Sequence, residues 1–454
     1  MPIATVNPTT GETEKVFEPL SDEELQAKLA AAQSGFATWR ATSFEERAHL
    51  ARAAAELLEG ELPAIAAVLT TEMGKTFASA KAETAKCATA LRFFAEHARS
   101  MLADVPVHSD ARQSFVRYGP MGPVLAVMPW NFPLWQVMRF AAPGLMAGNV
   151  GLLKHASNVP QTALLIEDVF RRAGYPAGAF QTLLIESGRV DGVIEDDRVR
   201  AVTLTGSEAA GRSVAATAGR ALKKSVLELG GSDPFVVLAS ADVERAVAVG
   251  VQARTQNNGQ SCIAAKRFIV HTDVYDAFEE AFVAAMEGLV VGDPMQPATG
   301  VGPLATAQGR VDVHEQVEDA RAHGAAILCG GASGEGPGFF YRPTVIARIT
   351  PAMRVFEEEV FGPVALLHEA QDAADALVKA NDTGFGLGAS VWTEDADERE
   401  RFVQDLDVGM VFVNAMVAST PELPFGGTKR SGYGRELADL GIKEFCEVKS
   451  VWRS

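Results

Sequence analysis

Cys262 closes the run Asn257-Asn258-Gly259-Gln260-Ser261-Cys262 and lies 34 residues after Glu228, which is followed by Leu229-Gly230-Gly231. A thiol and a carboxylate have complementary uses. The thiolate adds to a carbonyl carbon, and the glutamate deprotonates a water that later cleaves the acyl-sulfur bond. That division of labour suits the oxidation of an aldehyde. The bland alternative is a buried, inert core cysteine. Against it stand the flanking residues, which are too polar and turn-prone for a packed core segment and read as a loop presenting the thiol.

The rest of the chain limits the alternatives. With 454 residues, 47% of them hydrophobic, it can bury the cores of about three ordinary domains. No run approaches the roughly 18 apolar residues of a membrane span, and the N-terminal residues lack a secretory pattern, so a cytoplasmic protein is expected. The four cysteines, at 87, 262, 329 and 446, have no metal-ligand spacing. Neither a metal site nor a disulfide framework is expected. A formal charge of −17 disfavours nucleic acid and anionic membranes. Small molecules are the expected partners, and an anionic one needs a locally positive site.

The elements that must position Cys262 and Glu228 read as an α/β chain. The first hundred residues read as helices, with capping boxes at Ser21-Asp22-Glu23-Glu24 and Ser43-Phe44-Glu45-Glu46. Strands are expected at Phe115–Tyr118, Val124–Val127, Gly151–Leu153, Ala201–Leu204 and Phe235–Leu238, alternating with helices beyond Gly151 as in a parallel sheet with crossovers. After Cys262 a second α/β series is expected, with strands at Phe268–Val270, Ala326–Leu328 and Val411–Val413.

Glu228-Leu229-Gly230-Gly231 and Gly259-Gln260-Ser261-Cys262 resemble motifs of the aldehyde dehydrogenase superfamily. So do Pro129-Trp130-Asn131-Phe132-Pro133, Thr205-Gly206-Ser207-Glu208-Ala209-Ala210-Gly211, Glu359-Val360-Phe361-Gly362-Pro363 and the stretch from Pro424 to Gly432. Six motifs in family order, spread over nearly the whole chain, are most similar to the short NADP-using succinate-semialdehyde dehydrogenase type. The resemblance implies a Rossmann-type cofactor domain at 1–103 and 125–230, an α/β catalytic domain at 231–424, and a small β oligomerisation flap at 104–124 and 425–454. It also implies a homodimer or a dimer of dimers.

Site residues carry over position by position. The resemblance implies that Cys262 attacks the aldehyde, that the Asn131 amide and the Cys262 backbone N–H hold the oxyanion, and that Glu228 activates water. The presence of Glu228 favours hydrolysis over acyl transfer to coenzyme A, and Ala264 excludes a redox partner two residues after the nucleophile. For the cofactor, NADP with NAD as the alternative, it implies Trp130, Lys154, Ser157, Gly206, Ser207, Gly211, Glu359 and Phe361. Ser157 stands where NAD-preferring relatives commonly carry a glutamate that would repel a 2′-phosphate, although it also suits a helix cap before Pro160. Arg139, eight residues beyond Asn131, and Ser419 match the pair that binds the far carboxylate of succinate semialdehyde; a structural ion pair is the competing reading for Arg139. Glutarate semialdehyde, a neutral aldehyde, and a non-enzymatic binding protein on the same fold are the remaining alternatives.

Overall fold

The computed structural model describes residues 2–454. A short antiparallel hairpin, Ile3–Val6 with Thr13–Phe17, comes first and is absent from the helical reading of this stretch. Its turn uses Gly11 at φ +76°, a left-handed conformation that glycine adopts without steric cost. The helices Asp22–Trp39, Phe44–Gly60, Leu62–Met73 and Phe77–Met101 follow. Both expected capping boxes form: Ser21 and Ser43 accept from the N–H groups of Glu24 and Glu46, whose carboxylates accept from the serine N–H groups in return.

The first large sheet has six strands in the order Gly432–Tyr433, Lys224–Glu228, Ala201–Thr205, Pro123–Met128, Val150–His155, Phe180–Thr182. All neighbours are parallel except the first pair. The chain runs outward from Pro123–Met128 to Val150–His155 on one side and from Ala201–Thr205 to Lys224–Glu228 on the other. The loops leaving the C-terminal ends of these two central strands therefore diverge and leave a crevice, the usual ligand position in an open α/β sheet. One loop carries Trp130 and Asn131, the other Gly206 and Ser207.

The chain then enters a seven-stranded sheet, ordered Ala326–Cys329, Thr344–Ala347, Val364–Ala370, Arg267–His271, Pro234–Val237, Gly388–Trp392, Met410–Val413. Only its first pair is antiparallel. Thr344–Ala347, Val364–Ala370 and Gly388–Trp392 are strands that the sequence reading does not include, because periodicity alone does not separate short apolar runs from buried helix.

The small third sheet corrects the boundaries expected for the flap. It consists of Val105–Pro106, Gln113–Pro120 and Cys446–Arg453, the last two paired antiparallel over eight residues. Residues 425–445 belong elsewhere: Gly432–Tyr433 extends the first sheet, and Phe425, Leu437 and Ile442 are buried in its core. Gly432 sits at φ +115°, which lets the chain turn in against Lys224–Glu228. Pro123 and Val124 likewise open a central strand of the first sheet.

Candidate active site

Cys262 leaves the short turn Gln256–Gly259, in which Asn257 and Asn258 adopt φ of 56° and 58°. The polar run is a loop, but a buried one: Asn257, Asn258, Gln260 and Ser261 are all enclosed. Its side chains satisfy backbone groups that would otherwise be stranded. Asn257 Nδ2 donates to the carbonyls of Asn131 (2.7 Å) and Gln260 (3.0 Å), and Asn258 Nδ2 to those of Gly74 (2.8 Å) and Pro303 (2.9 Å). Lys266, fully buried, donates from Nζ to the carbonyls of Ser261 (2.8 Å) and Cys262 (2.6 Å) and pairs with Glu359 at 3.0 Å. The backbone around Cys262 is thus clamped by side chains before and after it.

Asn131 Nδ2 donates to the Gln260 carbonyl at 3.2 Å, while its Oδ1 accepts from Gln136 at 3.4 Å. A primary amide has two N–H donors, so one remains for an oxyanion at Cys262. Gln136, which the sequence reading misses, sets which way the amide faces; the only sequence signal is its place five residues beyond Asn131. Asn131 precedes the helix Trp135–Ala147, as the turn reading expects, and lines the same cavity as Cys262.

Glu228 ends the strand Lys224–Glu228 with its carboxylate buried and both oxygens without a hydrogen bond. Burial first, and the neighbouring Glu436 second, raise its pKa well above the usual carboxyl range, while Arg139 and Arg435 oppose the rise. A base of this kind holds its proton more tightly than a surface glutamate. Gly426 presses on it: a Cβ there would stand 2.7 Å from Glu228 Oε1. Gly231 packs equally closely beneath the nucleophile, where a Cβ would lie 2.7 Å from the Cys262 carbonyl oxygen. The Cys262 thiol is pushed up to about 12 by burial, with Arg139 and Lys266 pulling the other way.

Arg139 sits where the sequence reading does not put it. Asn131 lies before the helix Trp135–Ala147, so the eight residues between it and Arg139 are not a helical spacing. Every residue of Trp135–Ala147 is buried, and a buried guanidinium needs a counter-charge. Glu436 supplies it at 2.7 Å from Nε, with the Phe425 ring 4.2 Å from the guanidinium carbon. The ion pair weighed for Arg139 in the sequence forms, and no hydrogen bond joins Arg139 to Ser419 among the described residues. The Ser419 hydroxyl instead accepts from Trp135 Nε1 (2.9 Å) and Lys86 Nζ (2.8 Å).

The crevice between the two central strands holds a cavity of about 280 Å³ lined by Trp130, Asn131, Gly206, Ser207, Cys262, Glu359 and Phe361, among others. One cavity thus brings Cys262 together with five of the eight expected cofactor residues. Trp130 and Phe361 meet edge to face at 5.7 Å. Ser207 also caps the helix Glu208–Arg220, accepting from Ala210 N–H at 3.3 Å. Gly211 does not line the cavity; a Cβ there would strike Leu229 at 2.6 Å, so it serves close helix–strand packing. Lys154 is buried, with its pKa lowered by desolvation, and Ser157 lines a crevice with His155 and Pro160. The capping reading of Ser157 fails: the helix Pro160–Arg172 has Val159 at its N-cap and no side-chain cap.

The model of the "Aldehyde dehydrogenase family" matches residues 1–451. The chain belongs to the aldehyde dehydrogenase family. It is 58% identical over 456 residues to a "Succinate-semialdehyde dehydrogenase [NADP(+)]" of Mycolicibacterium paratuberculosis, covering 100% of this chain and 97% of that one. A "Succinate-semialdehyde dehydrogenase [NADP(+)] 1" of Mycobacterium tuberculosis is also 58% identical, over 455 residues and 100% of both chains. Among solved structures, succinic semialdehyde dehydrogenase from Streptococcus pyogenes in complex with NADP+ superposes with a TM-score of 0.97 at 38% identity, covering 99% of each chain. Gox0499 superposes with a TM-score of 0.99 at 40% identity over the whole of both chains. The aldehyde dehydrogenase fold is thus the one that the motifs imply.

Proposed function

We propose that this chain oxidises succinate semialdehyde to succinate with NADP. The observation that carries the reading is the single cavity that brings Cys262, the free Asn131 amide N–H and the phosphate-binding type of turn at Gly206-Ser207 together at the sheet's switch point. Full-length relatives at high identity bear the name of that activity, which supports it.

The residues present fit the dinucleotide. Gly206 lines the cavity, and a Cβ built there would make only an ordinary van der Waals contact, 3.6 Å from Leu204. Lys154 is a buried amine without a carboxylate partner among the described residues, as suits a 2′-phosphate, with Ser157 offering no negative charge to repel it. Lys154 and Ser157 would hold the adenosine end, Gly206 and Ser207 the pyrophosphate, and Glu359, Phe361 and Trp130 the nicotinamide end. When bound, the nicotinamide supplies the hydride acceptor of the oxidation.

The chain's own residues do the rest. Cys262 Sγ, as thiolate, adds to the aldehyde carbon and the carbonyl π pair moves to oxygen. The Asn131 N–H and the Cys262 backbone N–H donate to that oxyanion. Once the carbon has been oxidised to a thioester, Glu228 takes a proton from water, the water oxygen bonds to the acyl carbon, and the carbon–sulfur bond breaks to release the acid and the thiolate. The test is direct: protein, NADP and succinate semialdehyde should generate the absorbance of the reduced cofactor. Turnover of neutral aldehydes alone would refute the substrate.

An oligomer in the cytoplasm is part of the same reading. Cys446–Arg453 is the edge of the small sheet, and its Val448 and Trp452 are largely exposed, which supports pairing with another copy as a homodimer or dimer of dimers. A monomer in light scattering would overturn it.

A further inference from the structure

Lys266 stands four residues after Cys262, fully buried, just before the strand Arg267–His271. A buried ammonium must spend its three donors on the protein. Lys266 spends them on the carbonyls of Ser261 (2.8 Å) and Cys262 (2.6 Å) and on the Glu359 carboxylate (3.0 Å). Its backbone is fixed as well: its N–H donates to the Asp233 carbonyl at 3.1 Å, and its carbonyl accepts from Leu366 at 2.8 Å. The charge is therefore not free to move towards a substrate and acts only through the groups it holds.

One of those groups is the oxygen end of the peptide unit that joins Ser261 to Cys262. The other end of that unit is the Cys262 N–H, and in a planar trans peptide the N–H and the C=O point in opposite directions. An ammonium on the oxygen fixes the plane of the unit. It also draws electron density towards the oxygen, which leaves the N–H more positive and a stronger donor. The Ala264 N–H, 3.1 Å from the same oxygen, acts in the same sense. The Cys262 N–H itself donates to no group among the described residues. Filling the loop carbonyls alone would not require a charge, since Asn257 and Asn258 fill four nearby carbonyls with neutral amides. A cation is the costlier choice in a buried place, and what it adds is polarisation.

We propose that Lys266 is a positioning residue for the oxyanion site: by holding the Ser261 carbonyl it orients and polarises the peptide whose N–H stabilises the oxyanion formed at Cys262. This rests on the reading of Cys262 as the nucleophile. Lys266 also acts with Arg139 to lower the Cys262 pKa, while Glu359 and Asp233 act to raise it. A weakened oxyanion site must therefore be separated from a less ionised thiol.

Two reagents make that separation without the cofactor. p-Nitrophenyl acetate acylates the thiolate: sulfur bonds to the acyl carbon, the carbonyl π pair moves to oxygen, and it returns as the bond to p-nitrophenolate breaks. Iodoacetamide alkylates it: sulfur bonds to the methylene carbon as iodide leaves, and no oxyanion forms. The ratio of the two second-order rates cancels changes in thiol ionisation and access, and peptide mass analysis fixes the site of each reaction. In Lys266→Met the ratio of acylation to alkylation should fall about tenfold, less than the 10² to 10³ lost when an oxyanion donor is removed outright. With NADP, kcat/KM for succinate semialdehyde and for butyraldehyde, which lacks the distal carboxylate, should fall by similar factors. Lys266→Gln, which keeps a donor but no charge, decides if Lys266→Met does not fold, and its ratio should fall as well. In Glu359→Gln, where the ammonium stays and loses its counter-charge, the ratio should hold or rise. An unmoved ratio in the Lys266 variants, or a fall in Glu359→Gln, would overturn the role and leave Lys266 a structural clamp. If the intact enzyme takes no acetyl group on Cys262, the reading of Cys262 as nucleophile fails and this proposal fails with it.

Discussion

Removing Arg139 should damage stability and both classes of substrate alike. The Arg139–Glu436 pair spans 2.7 Å, with both side chains no more than 4% exposed. Truncating one partner of a buried pair typically costs about 3–5 kcal/mol, because the other charge is left uncompensated. An independent route gives a similar figure. Burial already raises the Glu436 pKa and Arg139 is what holds it down. In Arg139→Ala, Glu436 would escape its penalty by taking up a proton. Keeping a carboxyl neutral at pH 7, against an unfolded value of about 4.3, costs up to about 3.7 kcal/mol. The sign follows: the folded variant binds more protons than the unfolded chain, so its deficit grows with pH above about 4.3. Between pH 7 and pH 5 the deficit relative to the intact protein should shrink by up to about 2.7 kcal/mol. Urea denaturation of both proteins at the two pH values measures this. The same variant removes a cation that lowers the pKa of Glu228, so turnover of succinate semialdehyde and butyraldehyde should fall together. A pH-independent deficit, or a loss confined to succinate semialdehyde, would refute the reasoning and restore Arg139 as the carboxylate ligand.

Two further outcomes are expected. Ser157→Glu should shift the ratio of efficiencies from NADP towards NAD by at least about tenfold, since a carboxylate beside the 2′-phosphate costs about 1.4 kcal/mol or more; an unchanged ratio would mean that Ser157 does not face the phosphate. With the Cys262 thiol pushed up to about 12 and Glu228 raised, the reactive form of each is the deprotonated one, so turnover of butyraldehyde should rise from pH 6 to pH 9. An acidic optimum would contradict the burial that raises both groups.

The candidate site was legible where a residue stands in a motif of its own. Cys262, Glu228 and Asn131 stand out by type and motif, and the capping boxes at Ser21 and Ser43 form as read. Legibility failed where the role depends on a partner distant in sequence. Arg139 and Glu436 are 297 residues apart, and Lys86 and Ser419 are 333 apart; no local pattern announces either pair. Lys266 looks like an ordinary basic residue before a strand until its ammonium is seen on the Ser261 and Cys262 carbonyls. The flap boundary failed for a related reason, since Gly432–Tyr433 is too short to read as a strand without the neighbour it pairs with.

The most direct test of the central claim, that Cys262 carries the acyl group and Glu228 only releases it, is rapid mixing of Glu228→Gln with NADP and succinate semialdehyde, followed by intact-mass and peptide analysis. The account predicts a burst of reduced cofactor of about one equivalent per site, steady turnover lowered by on the order of 10² to 10⁴, and a succinyl thioester on the peptide that contains Cys262. No burst, or an acyl group found anywhere else, would contradict it.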